Sequence, residues 1–152
     1  MSAPEPSSAP TVTAPTVTVQ TVVAAPVQRV WDAWTDPAAI QQWNAASDDW
    51  HCPSATNDVR VGGGFSSRME ARDGSMGFDF AGIYTEVVPH ERIVYQIEDG
   101  RTVQIQFETV DGGTRVTETF VADSTHPVEM QRDGWQCILD RFRSYTESRA
   151  TN

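Results

Sequence analysis

The sequence predicts an α+β domain in which a curved antiparallel sheet lies against one long C-terminal helix. Three observations carry that expectation. The stretch from His126 to Ser148 places Val128, Met130, Trp135, Ile138, Leu139, Phe142 and Tyr145 at spacings near three and four, the stripe of an amphipathic helix. From about Asn57 onward, β-rich runs alternate with turn residues, several of them Asp-Gly, which favour hairpins. The chain begins with a strand and two short helices, which sets the order β-α-α, about six strands, α.

Thr16 to Ala24 alternates and is β-rich, so it reads as the first strand. Pro26 opens a short helix with Val27, Val30, Trp31 and Trp34 on its apolar side. Asp36 is placed to cap a second short helix that has Pro37 in its first turn. Trp50, His51 and Cys52 fall in a loop before the sheet. The expected strands are Val59–Val61, Phe65–Arg72, Met76–Val88, Arg92–Ile97, Arg101–Val110 and Thr114–Ala122. Within Arg101–Val110, Val103, Ile105 and Phe107 alternate with polar residues, as expected of a sheet packed on one face. In the final helix Pro127 suits the first turn. Gly134 costs about 1 kcal/mol of propensity against alanine; it serves either close packing against a strand or room for something bound between helix and sheet.

A chain of 152 residues suits one domain, placed at residues 16–149. Residues 1–15, rich in Pro, Ala, Ser and Thr, read as a disordered tail or tag remnant, and 150–152 as a C-terminal tail. No apolar run of about 18 residues predicts a transmembrane helix, and the first residues lack the pattern of a secretory signal. A bacterial-type cytoplasm is the expected location. The net charge of −10 opposes a nucleic-acid-binding role, which needs a basic face. All 11 basic residues are arginine, which excludes a lysine Schiff base.

Cys52 and Cys137 are expected to be reduced thiols, with Cys137 a small core residue. His51, His90 and His126 are scattered, and no spaced Cys/His cluster supports a metal. No cofactor is expected. Gly62–Gly63–Gly64 lacks the phosphate-loop pattern and suits a bulge or a close backbone approach.

Several strings together resemble a known family. They are VAAPVQRVWDAWTDPAAIQQW (Val23–Trp43), VRVGGGF (Val59–Phe65), GIYTEVVPHERIVY (Gly82–Tyr95), GGTRVTETF (Gly112–Phe120) and Gly134–Trp135 followed by LDRF. The chain is similar over residues 16–148 to the heat-shock-protein-ninety ATPase activator-like branch of the START/SRPBCC superfamily. The resemblance implies the helix-grip fold, like that of the birch pollen allergen, with an apolar pocket between sheet and long helix. It also implies an apolar small-molecule ligand such as a lipid, sterol or polyketide; some relatives catalyse cyclisation or dehydration in such a pocket. Co-chaperone activity is not expected to carry over, since the sequence reads as one domain and offers no basic docking face.

In such a pocket the sheet would contribute Met69, Phe80, Tyr95, Ile105, Phe107 and Phe120. The helix would contribute Met130, Gly134, Trp135 and Ile138, and the covering loop Trp50. Three residues are candidates for proton transfer. Glu118 shares a strand face with Val116 and Phe120, so an inward face would desolvate its carboxylate and raise its pKa. The preferred alternative is an outward Glu118, or one paired with an arginine such as Arg68. Asp79 is better read as solvated. His51 beside Cys52 lacks a third orienting group, so a catalytic Cys–His pair is disfavoured. Binding of an apolar molecule is the favoured function. A cyclase- or dehydratase-type enzyme and an interaction protein are the alternatives, and either a monomer or a homodimer is allowed.

Overall fold

The computed structural model describes residues 16–45, 47–97, 100–123 and 125–150. The expected N-terminal tail and the last two residues lie outside them. The elements are β1 (Thr16–Val23), α1 (Val27–Thr35), α2 (Pro37–Trp43), β2 (Trp50–Asn57), β3 (Gly64–Ala71), β4 (Gly77–Val88), β5 (Arg92–Ile97), β6 (Thr102–Val110), β7 (Gly113–Val121) and α3 (Val128–Ala150). The strands form one antiparallel sheet in the order β1-β7-β6-β5-β4-β3-β2. This is the helix-grip arrangement, a curved sheet around a C-terminal helix.

Side-chain alternation selects the faces. Val17, Val19 and Val23 on β1 point inward, as do Val103, Ile105 and Phe107 on β6 and Val116, Glu118 and Phe120 on β7. Their neighbours are more exposed, so the inner face is dry. Leu139 and Phe142 of α3 are fully buried in the same core. The backbone of α3 runs along β1 and meets α1 and α2, while α2 lies on β2.

Two helices lock the far end of α3. The Asp36 carboxylate accepts from the Ala38 N–H at 3.0 Å and caps α2, with Pro37 in the first turn. Trp43 donates from its indole nitrogen to the Ala33 carbonyl at 2.9 Å. Trp34, Trp43 and Phe142 then meet with ring centroids 4.9 to 5.0 Å apart. The two Phe142 contacts are edge-to-face, the arrangement the ring quadrupoles favour.

Four sequence expectations need correction. Trp50–Cys52 is not a loop but the start of β2, an edge strand with a register shift between His51 and Ser54. Pro53 sits at that irregularity, where the loss of an N–H is tolerated. Val59–Val61 is not a strand but part of a turn, in which the Gly63 N–H donates to Arg60 O at 2.8 Å. Gly62 takes a φ of 85°, and a Cβ on Gly63 would collide with the backbone oxygen of Asp58. Cys137 is exposed on α3 rather than buried; Cys52 is the buried thiol. The final helix begins two residues later than expected, at Val128, and its backbone runs to Ala150.

Candidate functional site

Because α3 lies nearest β1, the opposite half of the sheet has less helix over it. There a cavity of about 210 Å³ remains. Its floor is Phe65, Ser67 and Met69 of β3, Phe78, Phe80 and Tyr84 of β4, and Tyr95 of β5. Glu118 enters from β7, and Thr56 and Asn57 from β2. Trp135 and Ile138 of α3 form one wall; Trp34 of α1 with Ile40, Trp43 and Asn44 at α2 form the other.

Register holds Glu118 in this cavity. Its Cα partners are Ile105 on β6 and Val19 on β1, and both neighbours are buried. Turning Glu118 outward would flip Val116 and Phe120 with it. Glu118 is only 4% exposed, and among the described residues its carboxylate has no hydrogen bond or ion pair. Burial alone pushes its pKa up to about 8.

Two tyrosines share the floor. Tyr95 is buried, and its pKa lies well above the usual phenol value, first through desolvation and then through the charges of Glu118 and Tyr84. Tyr84 donates its hydroxyl to the side-chain oxygen of Asn57, whose amide nitrogen donates to Thr35 O at 2.8 Å. Desolvation raises Tyr84 to about 12, the Asn57 bond opposes that rise, and the nearby Asp58 charge adds to it. The chain Thr35–Asn57–Tyr84 therefore ties α1 to two strands. Aromatic contacts continue around the wall, with Phe65 and Tyr95 centroids 4.7 Å apart and Phe80 and Trp135 6.2 Å apart. Trp135 is held flat on Phe120 at 3.9 Å.

Six of the residues singled out in the sequence meet here: Met69, Phe80, Tyr95, Trp135, Ile138 and Glu118. The others lie elsewhere. Ile105 is sealed in the core, Phe107 packs on Trp31 and Trp34, and Phe120 stands behind Trp135. Trp50 is half-buried against Phe78, outside the lining, and Met130 is 58% exposed near the start of α3. Gly134 is not in the lining; a Cβ there would meet no atom within 4 Å, so close packing does not require the glycine.

The outward reading of Glu118 is overturned by the register, and Arg68 is engaged elsewhere, with Glu70 at 2.9 Å and Asp79 at 3.4 Å. Asp79 thus faces outward, as its solvated reading anticipates. His51 lies 3.9 Å from Glu70 on β3, away from the cavity. Buried Cys52 donates to Ser54 O at 3.3 Å, and desolvation raises its thiol pKa above the ordinary value, against a weaker lowering by Ser67. Phe78 and Tyr84 were legible by parity with Phe80, and Phe65 and Ser67 by parity with Met69. Asn57 and Thr56 were hidden by reading β2 as loop. Among the described residues no group of three His, Cys, Asp or Glu is placed to hold a metal ion, and no helix is long and apolar enough to cross a membrane.

Comparison with known proteins agrees with this architecture. The family model described as Activator of Hsp90 ATPase homolog 1-like protein matches residues 24–147. The solution structure of an AHSA1-like protein from Aeromonas hydrophila is 42% identical, with a TM-score of 0.85, over 91% of this chain and 96% of that one. A solution structure from Cytophaga hutchinsonii is 44% identical, with a TM-score of 0.76, over 90% of this chain and 94% of that one. A crystal structure from Chromobacterium violaceum is 27% identical, with a TM-score of 0.79, over 88% and 98%. No curated protein matches significantly. With most of its length matched and its sheet, helices and cavity in place, the chain belongs to the Activator of Hsp90 ATPase homolog 1-like family of the SRPBCC superfamily.

Proposed function

We propose that this protein binds a small, mostly apolar molecule in the cavity between α3 and the β2–β5 half of the sheet. The observation that carries the reading is the cavity itself, walled by aromatic rings and entered by a few polar groups, as small-molecule sites are. Size narrows the ligand. An engineered core cavity of roughly 150 Å³ accepts benzene, so about 210 Å³ suits one ring with a short substituent better than a long acyl chain. The lining comes from one chain, which a monomer or a homodimer satisfies alike. A reducing cytoplasm suits two free thiols, one of them exposed.

Thermal shift with monocyclic aromatics, short polyketide fragments and fatty acids tests the proposal. A bound ligand at about 100 times its Kd stabilises by roughly 2.7 kcal/mol. The ring compounds are expected to raise the melting temperature, and Trp135→Ala is expected to abolish their effect. No stabilisation by any compound would sink the reading.

A second reading is proton transfer of the cyclase or dehydratase type. It is favoured by a buried carboxyl whose pKa sits near physiological pH beside a buried phenol. Glu118→Gln then loses turnover while retaining binding of a neutral substrate. Retained turnover would exclude Glu118 as the acid or base.

A further inference from the structure

Glu118 is more than a polar atom in an apolar wall. Among the described residues it is an acid without a partner, held by strand register and facing space that something else can fill. Simple core filling at this position needs only an apolar side chain or an amide; a carboxyl group adds a desolvation cost. Among the described residues no arginine or histidine lines the cavity to supply a counter-charge. Arg68 is taken by Glu70 and Asp79, Arg92 by Glu86, Arg115 by Glu108 and Arg141 by Asp48.

The rest of the lining favours the same sign of charge. Trp34, Trp43, Phe65, Phe80, Tyr95 and Trp135 present ring systems around the space. The faces of such rings are electron-rich and attract cations. The titratable groups that share the cavity with Glu118 are Tyr95 on β5 and Tyr84 on β4; both are held neutral by their raised pKa values. From α3 and the α1–α2 side come only Trp135, Ile138, Trp34, Ile40, Trp43 and Asn44. The whole chain, at −10, further favours the approach of a cation.

We propose that the ligand of this cavity is an organic cation, a ring or compact apolar body carrying a protonated or quaternary nitrogen that pairs with the Glu118 carboxylate. This rests on the binding reading above and narrows it to a chemical class. The proton balance is closed. In the empty protein near neutral pH the carboxyl is largely protonated. Binding of an ammonium ion converts Glu118–COOH to Glu118–COO⁻ paired with the cation, and one proton leaves to solvent. Affinity for a quaternary ammonium therefore rises with pH until the free carboxyl is itself ionised.

The test uses the full chain with benzyltrimethylammonium, benzyl alcohol, acetophenone and benzoate, measured by titration calorimetry between pH 6 and 9. The cation is expected to bind at least about tenfold tighter than benzyl alcohol at pH 8. Its Kd is expected to fall about tenfold from pH 6 to pH 7 and to level off above about 8 to 9. Proton release at pH 7, read from two buffers of different ionisation enthalpy, is expected to approach one per cation bound. In Glu118→Gln the advantage over benzyl alcohol and the pH slope both vanish. The wild-type pH profile is a readout that does not depend on the variant's folding. Should benzyl alcohol, acetophenone or benzoate bind as tightly as the cation, the cationic assignment falls and the apolar-ligand reading stands. If none of the four binds, the cationic assignment falls, and the apolar-ligand reading falls with it when the polyketide fragments and fatty acids also fail to stabilise the chain.

Discussion

A carboxyl group buried without a partner makes stability depend on pH. The unfolded value for Glu118 is near 4.5 and the folded value is about 8. Between those values the folded chain holds a proton that the unfolded chain has released. The contribution of this group to stability is therefore fully present below about 4.5, declines as pH rises, and is lost above about 8. At about 1.4 kcal/mol per pKa unit, the swing is on the order of a few kcal/mol. Urea unfolding of the wild type and Glu118→Gln at pH 5 and pH 9 measures it. The difference should move by a few kcal/mol in favour of the glutamine variant at pH 9. Exposed pairs such as Arg92–Glu86 are common to both proteins and cancel. Parallel pH curves would mean that Glu118 is ionised in the fold. Gly134 gives a second residue-scale outcome. Its Cβ position is open, so Gly134→Ala should gain up to about 1 kcal/mol in chemical denaturation. The sequence named both residues. It could not decide either, because strand parity does not say which face is the inner one, and a helical glycine carries no record of its surroundings.

At the scale of elements, legibility followed periodicity. Strand β6 alternates between apolar and polar positions, β5 and β7 do so over most of their length, and α3 carries its apolar residues at three-to-four spacing; the expected bounds of all four lie within about two residues of the observed ones. β2 was missed because it carries Pro53, Ser54, Thr56 and Asn57, is an edge strand, and shifts register at its centre. An edge strand needs little apolar surface, so it leaves little pattern. The helices depend on one aromatic knot. Phe142 is fully buried between Trp34 and Trp43 and joins α3 to both N-terminal helices. Phe142→Ala should cost roughly 3–5 kcal/mol, since truncation leaves a void between three helices. Tyrosine at 145, half-buried one turn on, offers the control. Tyr145→Ala is expected to cost clearly less in the same thermal melts. Equal losses would mean that the knot is not the joint between these helices.

For the molecule as a whole, the cavity is a property of how the layers meet rather than of any segment. α3 covers the β1 side of the sheet, α2 covers β2, and the strands between them keep a space that no local pattern announces. That is why the sequence reading placed Ile105, Phe107 and Phe120 in the lining; they share the inner face but lie under the closed half of the grip. The same geometry separates a functional cavity from a packing fault. Ser67 is buried on the cavity floor, and its side chain is small. Ser67→Leu would replace the hydroxyl with three carbons directed toward the open volume. In a close-packed core such an insertion costs typically 1–3 kcal/mol. Where space is kept for a ligand, filling it should instead raise stability by roughly 0.5–2 kcal/mol while removing the ligand-induced rise in melting temperature. Paired melts with and without benzyltrimethylammonium read both quantities. A gain in stability with loss of binding means that the fold forgoes packing here to keep a site open. A loss of stability with binding intact would place the ligand elsewhere on the molecule.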